Sequence, residues 1–289
     1  MQFHKFQFTN KLHSVRDQLH KQWVRGPVSQ AIFEFVSFGV KQAWACLFGG
    51  VMLALLVLTH LFYPDGLWLS RYDFLVLAAL ALQVLMLATG LESWEEARVI
   101  LVFHIVGTIM EIFKTQAGSW VYPEASVLRI GAVPLFSGFM YAAVGSYIAR
   151  VWRIFDFRFT RFPPIWVQGL LAFAVYVNFF SHHWIIDIRN VLFVATVLIY
   201  GRTIVWFRAD VTHRPMPLVI GFVLVALFIW FAENLGTFAR GWTYPGQETG
   251  WHMVSWAKLG SWYLLMIISF VLVASIHKAS KGLETPCED

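Results

Sequence analysis

The sequence predicts an all-α protein, a polytopic bundle of about eight transmembrane helices. Three observations lead there. Of 289 residues, 58% are hydrophobic and 13% charged, and the mean hydropathy is +0.62, whereas a soluble domain carries about a quarter charged residues. The apolar stretches are about as long as a bilayer-crossing helix, roughly 20 residues. They run continuously instead of alternating with polar residues, which argues against an outer-membrane barrel. In a soluble chain the net charge of +5 would point to nucleic acid. Here the basic residues gather at the ends of apolar stretches, where they set orientation. Membrane lipids are the expected partners, and nucleic acid is not.

Residues 1–41 read as a basic cytoplasmic or interfacial segment. Phe8, Leu12, Val15, Leu19 and Trp23 recur at helical spacing, flanked by Lys11, Arg16 and Arg25. That pattern suits a helix lying on the membrane surface, or a loosely ordered basic tail. It lacks the short apolar core and small-residue cleavage site of a signal peptide. The membrane domain, 42–276, holds spans at 42–62, 72–90, 97–115, 132–150, 165–182, 186–206, 216–236 and 254–276, and 277–289 forms a tail. Pro64-Asp65-Gly66, Glu92 to Arg98 and Pro163-Pro164 mark breaks between spans. Arg150, Arg153, Arg158, Arg161, Arg202, Arg208, Arg214, Lys278 and Lys281 share one side of this arrangement. The positive-inside rule makes that side cytoplasmic. Both termini are expected there, in a bacterial inner membrane. Cys46 and Cys287 suggest neither a disulfide framework nor a cysteine metal site.

One motif occurs twice. Glu111-x-x-x-Thr115 leads to Trp120-x-Tyr122-Pro123, and Glu233-x-x-x-Thr237 leads to Trp242-x-Tyr244-Pro245. The copies lie 122 positions apart, which suggests a parallel four-plus-four repeat. A carboxylate near the end of an apolar span is costly unless it is paired, wetted or used. Glu111 and Glu233 are therefore candidate acid-base residues, able to share a proton. A third polar region, Asn178-x-x-x-His182-His183-x-x-x-Asp187 followed by Arg189, falls at the same membrane depth. His182 and His183 are further catalytic candidates.

Candidate substrate-binding residues are His104, Thr115, Trp120, Tyr122, Asn178, Asp187, Arg189, Thr237, Trp242 and Tyr244. His104 precedes Glu111 by two helical turns, about 10 Å along the axis. The Thr hydroxyls can serve the carboxylates or nearby carbonyls. The aromatics suit a membrane interface or a ring-lined rim for a cation. Arg189 can neutralise Asp187 or bind phosphate. The histidines, Asp187 and the two glutamates also form a candidate nitrogen and oxygen metal set, but no cofactor is specified. Gly131, Gly138 and Gly145, seven apart, suit close helix packing.

The blocks "EIFKTQAGSWVYPE...LRIGAVPLFSGF" and "ENLGTFARGWTYPG...WHMVSWAKLGSW" resemble the bacterial integral membrane family catalogued as domain of unknown function 817. That resemblance implies no activity. The first block is also similar, over a short stretch, to membrane carotenoid hydratases and cyclases. This second resemblance singles out Glu111, Gly118, Trp120, Tyr122, Val133 and Pro134 and implies acid-assisted chemistry on a polyene. Three functions fit these features. The first is an intramembrane enzyme acting on a lipid or isoprenoid by acid-base chemistry. The second is a small-solute or proton-coupled transporter. The third is a non-enzymatic membrane assembly protein whose polar network fixes packing.

Overall fold

A computed structural model describes residues 18–64 and 66–278. Phe8, Leu12 and Val15 of the expected surface helix, and Cys287 in the tail, lie outside the described residues. The helices are α1 (Pro27–Ala45), α2 (Leu47–Phe62), α3 (Arg71–Ala88), α4 (Trp94–Gln116), α5 (Phe136–Ile154), α6 (Ile165–Ser181), α7 (Arg189–Tyr200), α8 (Leu218–Phe238) and α9 (Trp256–Lys278). A hairpin of β1 (Arg129–Ile130) and β2 (Val133–Pro134) precedes α5. Strands β3 (Arg158–Thr160), β4 (Ile204–Arg208) and β5 (His213–Pro217) form an antiparallel sheet in the order β3-β4-β5.

The helical class agrees with the sequence, but the count of eight spans does not. Among the described residues, three helices are long and apolar enough to cross a membrane: Arg71–Ala88, Leu218–Phe238 and Trp256–Ser275. A fourth is reached if Pro27–Ala45 and Leu47–Phe62, bent by 67° where they meet, count as one broken span. The physical reasons are local. Helix α7 has 12 residues, about 18 Å at 1.5 Å per residue, against a hydrocarbon core of about 30 Å. The span expected at 186–206 stops at Tyr200 because residues 204–208 enter the sheet. Helix α6 is also short, at 17 residues. Helices α4 and α5 bury Glu96, Glu111, Lys114, Ser146 and Arg150, groups suited to a protein interior more than to lipid.

The four-plus-four repeat is corrected as well. The first motif leads into the β1–β2 hairpin. The second leads into a turn and an extended run up to Trp256. The likeness is confined to the motif and the end of the helix that carries it.

Those two helix ends are built alike. Helix α4 begins with a capping box in which Ser93 and Glu96 satisfy each other's backbone N–H. It ends where Gly118 adopts a left-handed conformation, φ 69°, and Ser119 N–H reaches back to the Lys114 carbonyl. Helix α8 ends the same way, with Gly241 N–H donating to the Gly236 carbonyl. There Arg240 takes the left-handed position, φ 51°, without glycine's freedom.

The core runs through α4–α9, with Tyr200, Phe222 and Phe270 in edge-on ring contact. Helices α4 and α5 approach closely. A Cβ at Gly138 would stand 2.4 Å from His104 Nδ1, one at Gly107 2.7 Å from Tyr141, and one at Gly145 2.6 Å from Phe103. Gly138 and Gly145 thus serve the packing read from their spacing. Gly131 instead occupies the β1–β2 turn at φ 61°.

The Arg-rich end became a sheet instead of a set of loops. Asp156 there faces Arg158, Arg208 and His213 within 3.5 Å, and Glu34 on α1 binds Arg214. Helix α1 starts at this end, and α9 runs toward it from the end that holds the two motifs.

Overpacking a tight helix contact costs about 1–3 kcal/mol. Gly138→Ala is therefore expected to lower the unfolding temperature of the detergent-purified protein. Gly169→Ala, on α6 with no atom within 4 Å of its added Cβ, is expected to hold or raise it. Equal unfolding temperatures for the two variants would contradict this packing.

Candidate functional site

The two motif copies meet. Val121 and Thr243, the central residues of the Trp-x-Tyr segments, form an antiparallel bridge, N–H to carbonyl both ways at 3.0 and 2.9 Å. Trp120 and Tyr244 touch edge to face, with centroids 6.0 Å apart. The bridge brings the ends of α4 and α8 together, and both carboxylates line one cavity of about 340 Å³.

Each carboxylate is buried and held by donors from its own Trp-x-Tyr segment and from a neighbouring helix. Glu111 Oε2 accepts from Trp120 Nε1 at 2.7 Å and from the Tyr122 hydroxyl at 2.6 Å. Its Oε1 accepts from the Tyr141 hydroxyl at 2.7 Å. Glu233 accepts from the Tyr244 hydroxyl and from Trp262 Nε1. Burial, and then the negative charge of Glu111, push the Tyr122 phenol well above its ordinary value. Burial and Glu233 do the same to Tyr244. Both phenols therefore stay protonated as donors. Tyr141 and Trp262 were not singled out from the sequence. They lie 30 and 29 positions after their glutamates, so even an aligned repeat would have been one residue out of step.

A second cluster ties the motifs down. Arg71, at the start of α3, donates to Glu124 through Nε at 2.8 Å and Nη2 at 2.6 Å. It also donates to the carbonyls of Ala239 and Arg240 at 3.0 Å each. The Tyr72 hydroxyl donates to the Arg240 carbonyl at 2.8 Å. Ser70 caps α3 by accepting the Asp73 N–H, and the Asp73 carboxylate accepts the Val127 and Leu128 N–H groups. This trio grips the first motif's loop and the end of α8 together. Its sequence signal was a charged triplet, Arg71-Tyr72-Asp73, behind a helix-capping serine.

The remaining expected site residues divide. Trp120, Tyr122, Asn178, His182, Arg189, Trp242 and Tyr244 line the cavity. Thr115 and Thr237 do not. Their hydroxyls donate to the carbonyls of Glu111 and Glu233, one turn back, and Thr237 also accepts from Trp251. His104 packs on Phe139, with centroids 4.4 Å apart, away from the cavity.

Asn178 donates to Asp187 at 3.0 Å and accepts from Ile188 N–H, fixing the α6–α7 connection. Asp187 pairs with Arg189 at 3.0 Å. Partial burial works against its charge, but Asn178 and Arg189 hold it below the usual carboxylate range. His183 Nε2 lies 2.9 Å from Lys114 Nζ. Burial, Lys114 and His182 push the His183 ring below its ordinary value, so it is neutral at pH 7 and accepts from the ammonium. Among the described residues, no three His, Cys, Asp or Glu groups gather as a metal set. The set suggested by the sequence is spread between the α6–α7 connection and the cavity.

These features define a multi-pass helical membrane protein with a mostly apolar cavity closed by a doubled carboxylate motif. The chain belongs to the family DUF817, described as a protein of unknown function, whose model matches residues 34–270. It is similar to the uncharacterized protein YoaT of Bacillus subtilis (strain 168), 40% identical over 259 residues, which is 90% of this chain and 97% of the relative. Two solved structures are similar in outline: a cross-linked MvINS trimer, TM-score 0.47, and MvINS itself, an Insig homolog from Mycobacterium vanbaalenii, TM-score 0.45. Each is 12% identical and covers 66% of this chain and 98% of its own.

Two outcomes follow from the geometry. Arg71→Met leaves several carbonyls and Glu124 without their donor, at about 1–3 kcal/mol for each buried acceptor. Glu124→Gln keeps an acceptor for the buried guanidinium and removes the charge of a partly exposed carboxylate. Thermal unfolding is expected to fall several-fold further for the first variant, and equal losses would mean that the ion pair alone matters.

The second outcome concerns pH. A histidine whose folded pKa is lowered stabilises fully above its unfolded value, about 6.5. That stability is lost as pH falls through this value toward the folded one. Wild-type protein is therefore expected to lose more thermal stability between about pH 7.5 and 5.5 than His183→Gln does. A parallel loss in both proteins would contradict the assignment.

Proposed function

We propose that this is a non-enzymatic bacterial membrane protein in which the doubled motif fixes the packing of a cavity that holds one lipid-like amphiphile. The carrying observation is the engagement of both carboxylates by donors of the protein itself. Glu111 accepts from three protein donors and Glu233 from two. A general acid or base needs an oxygen free to meet its substrate, whereas a packing network needs every group satisfied. This favours packing over acid-base chemistry for the pair. The cavity volume lies within the range of small-molecule sites, about 300–1,000 Å³, and most of its lining is apolar. The Arg-rich sheet is proposed to face the cytoplasm, in the cytoplasmic membrane, with the outer ends of α1 and α9 on that side.

The test combines purification and substitution. Gently purified protein is expected to carry an extractable amphiphile in near-stoichiometric amount, with its mass unchanged after prolonged incubation. Glu111→Gln places an amide NH₂ against phenol and indole donors, and Tyr141→Phe removes one donor. Both are expected to lower thermal stability and bound amphiphile together, with total lipid composition unaltered in the expressing strain. A stable Glu111→Gln protein whose strain accumulates a precursor lipid would overturn the reading in favour of an enzyme.

A further inference from the structure

We infer that the polar end of the amphiphile is an anion, a carboxylate or phosphate monoester, seated between Lys114 and Lys258, with its chain running along α5. The inference rests on the proposed reading of the cavity and adds the charge and orientation of the ligand. Both lysines line the cavity. Lys114 is only 3% exposed. Its ammonium meets neutral His183 and, at 4.1 Å, the face of Phe179. Lys258 lies over the rings of Tyr244 at 4.0 Å and Trp120 at 5.1 Å. Neither forms an ion pair within 4 Å among the described residues.

The acids nearby are otherwise engaged. Glu111 and Glu233 accept from phenols and indoles, and Asp187 from Asn178 and Arg189. Glu233 and Glu111 act on Lys258, and Asp187 on Lys114, only from beyond ion-pair distance, and a buried ammonium without a counter-charge in contact is costly. An anion delivered by the ligand removes that cost and gains charge-assisted hydrogen bonds. Around the lysines the lining is polar, with Asn178, His182, Ser255 and Ser261. Away from them it is largely apolar.

The α5 wall from Ser137 to Tyr147 spans ten residue steps, roughly 15 Å of helix, enough to lay out an acyl chain. The cavity reaches Cys46, Gly49 and Gly50 at the break between α1 and α2. Gly50 and Phe228, both lining the cavity, also reach the protein surface, Phe228 at 59% exposure.

The experiment measures binding of hexadecanoate, hexadecanol, dodecyl phosphate and inorganic phosphate to the full chain, stripped of lipid in detergent, as wild type, Lys114→Met and Lys258→Met. Hexadecanoate and dodecyl phosphate are expected to bind roughly tenfold or more tighter than hexadecanol. Each lysine variant is expected to remove most of that preference, leaving hexadecanol unchanged. Equal binding of acid and alcohol in the wild type would overturn the anionic head group while leaving the cavity reading intact. Failure of every chain-bearing probe would defeat the cavity reading itself. Inorganic phosphate binding as tightly as dodecyl phosphate would mean a site for soluble anions, and would overturn the lipid chain. Should Lys114→Met fail to fold, Lys258→Met and the acid-alcohol contrast in wild-type protein still decide.

Discussion

A carboxylate at the end of an apolar helix must find donors, because hydrocarbon supplies none. This chain meets that constraint twice. Each helix leaves its last turn through a backbone reversal that sends the following Trp-x-Tyr segment back over the carboxylate. The spacing of nine residues to Trp120 and eleven to Tyr122 places their N–H and O–H groups on Glu111. The same eleven-residue step serves Tyr244 and Glu233. Hydrogen bonds to charged groups are worth about 1.5–3 kcal/mol each, so the reversals, the motif loops and the helix ends are fixed together.

The two copies then use each other. Their central residues pair as a short antiparallel bridge, which satisfies backbone groups that loops at a membrane boundary would otherwise leave bare. Arg71, Tyr72 and Asp73 grip this junction from α3. The copies are not equivalent in detail. Trp120 donates to Glu111, whereas Trp242 packs against Gly236 and the donor to Glu233 comes from Trp262. Gly118 accepts the left-handed turn freely, while Arg240 adopts it under the hold of Arg71 and Tyr72 on its carbonyl. An interaction present in only one copy removes any need for a full structural repeat.

Beneath this junction the helices separate enough to leave a cavity. Its charged groups are unevenly satisfied. The glutamates are enclosed by donors and Arg189 has Asp187, but Lys114 and Lys258 meet rings and a neutral imidazole. Gly107 on α4 and Gly138 and Gly145 on α5 draw these two helices together.

The sequence by itself determined the helical membrane class, the family and the presence of the doubled motif. Composition and motif spacing are local properties that survive without knowledge of contacts. It also exposed Glu111 and Glu233 through the cost of burying an acid. The number of spans was misread because apolar length alone does not separate a lipid-facing helix from one buried in protein. Helix α7 stops at Tyr200 only because the next residues pair with β3 and β5. Thr115 and Thr237 looked like site residues, but a hydroxyl one turn above a carbonyl is satisfied within its own helix. Tyr141, Trp262 and Arg71 could not be assigned to the motif, since they reach it from other helices. The tertiary structure alone decided that the two motifs face one another and that Lys114 and Lys258 line the same cavity as the glutamates with no ion pair closer than 4 Å among the described residues.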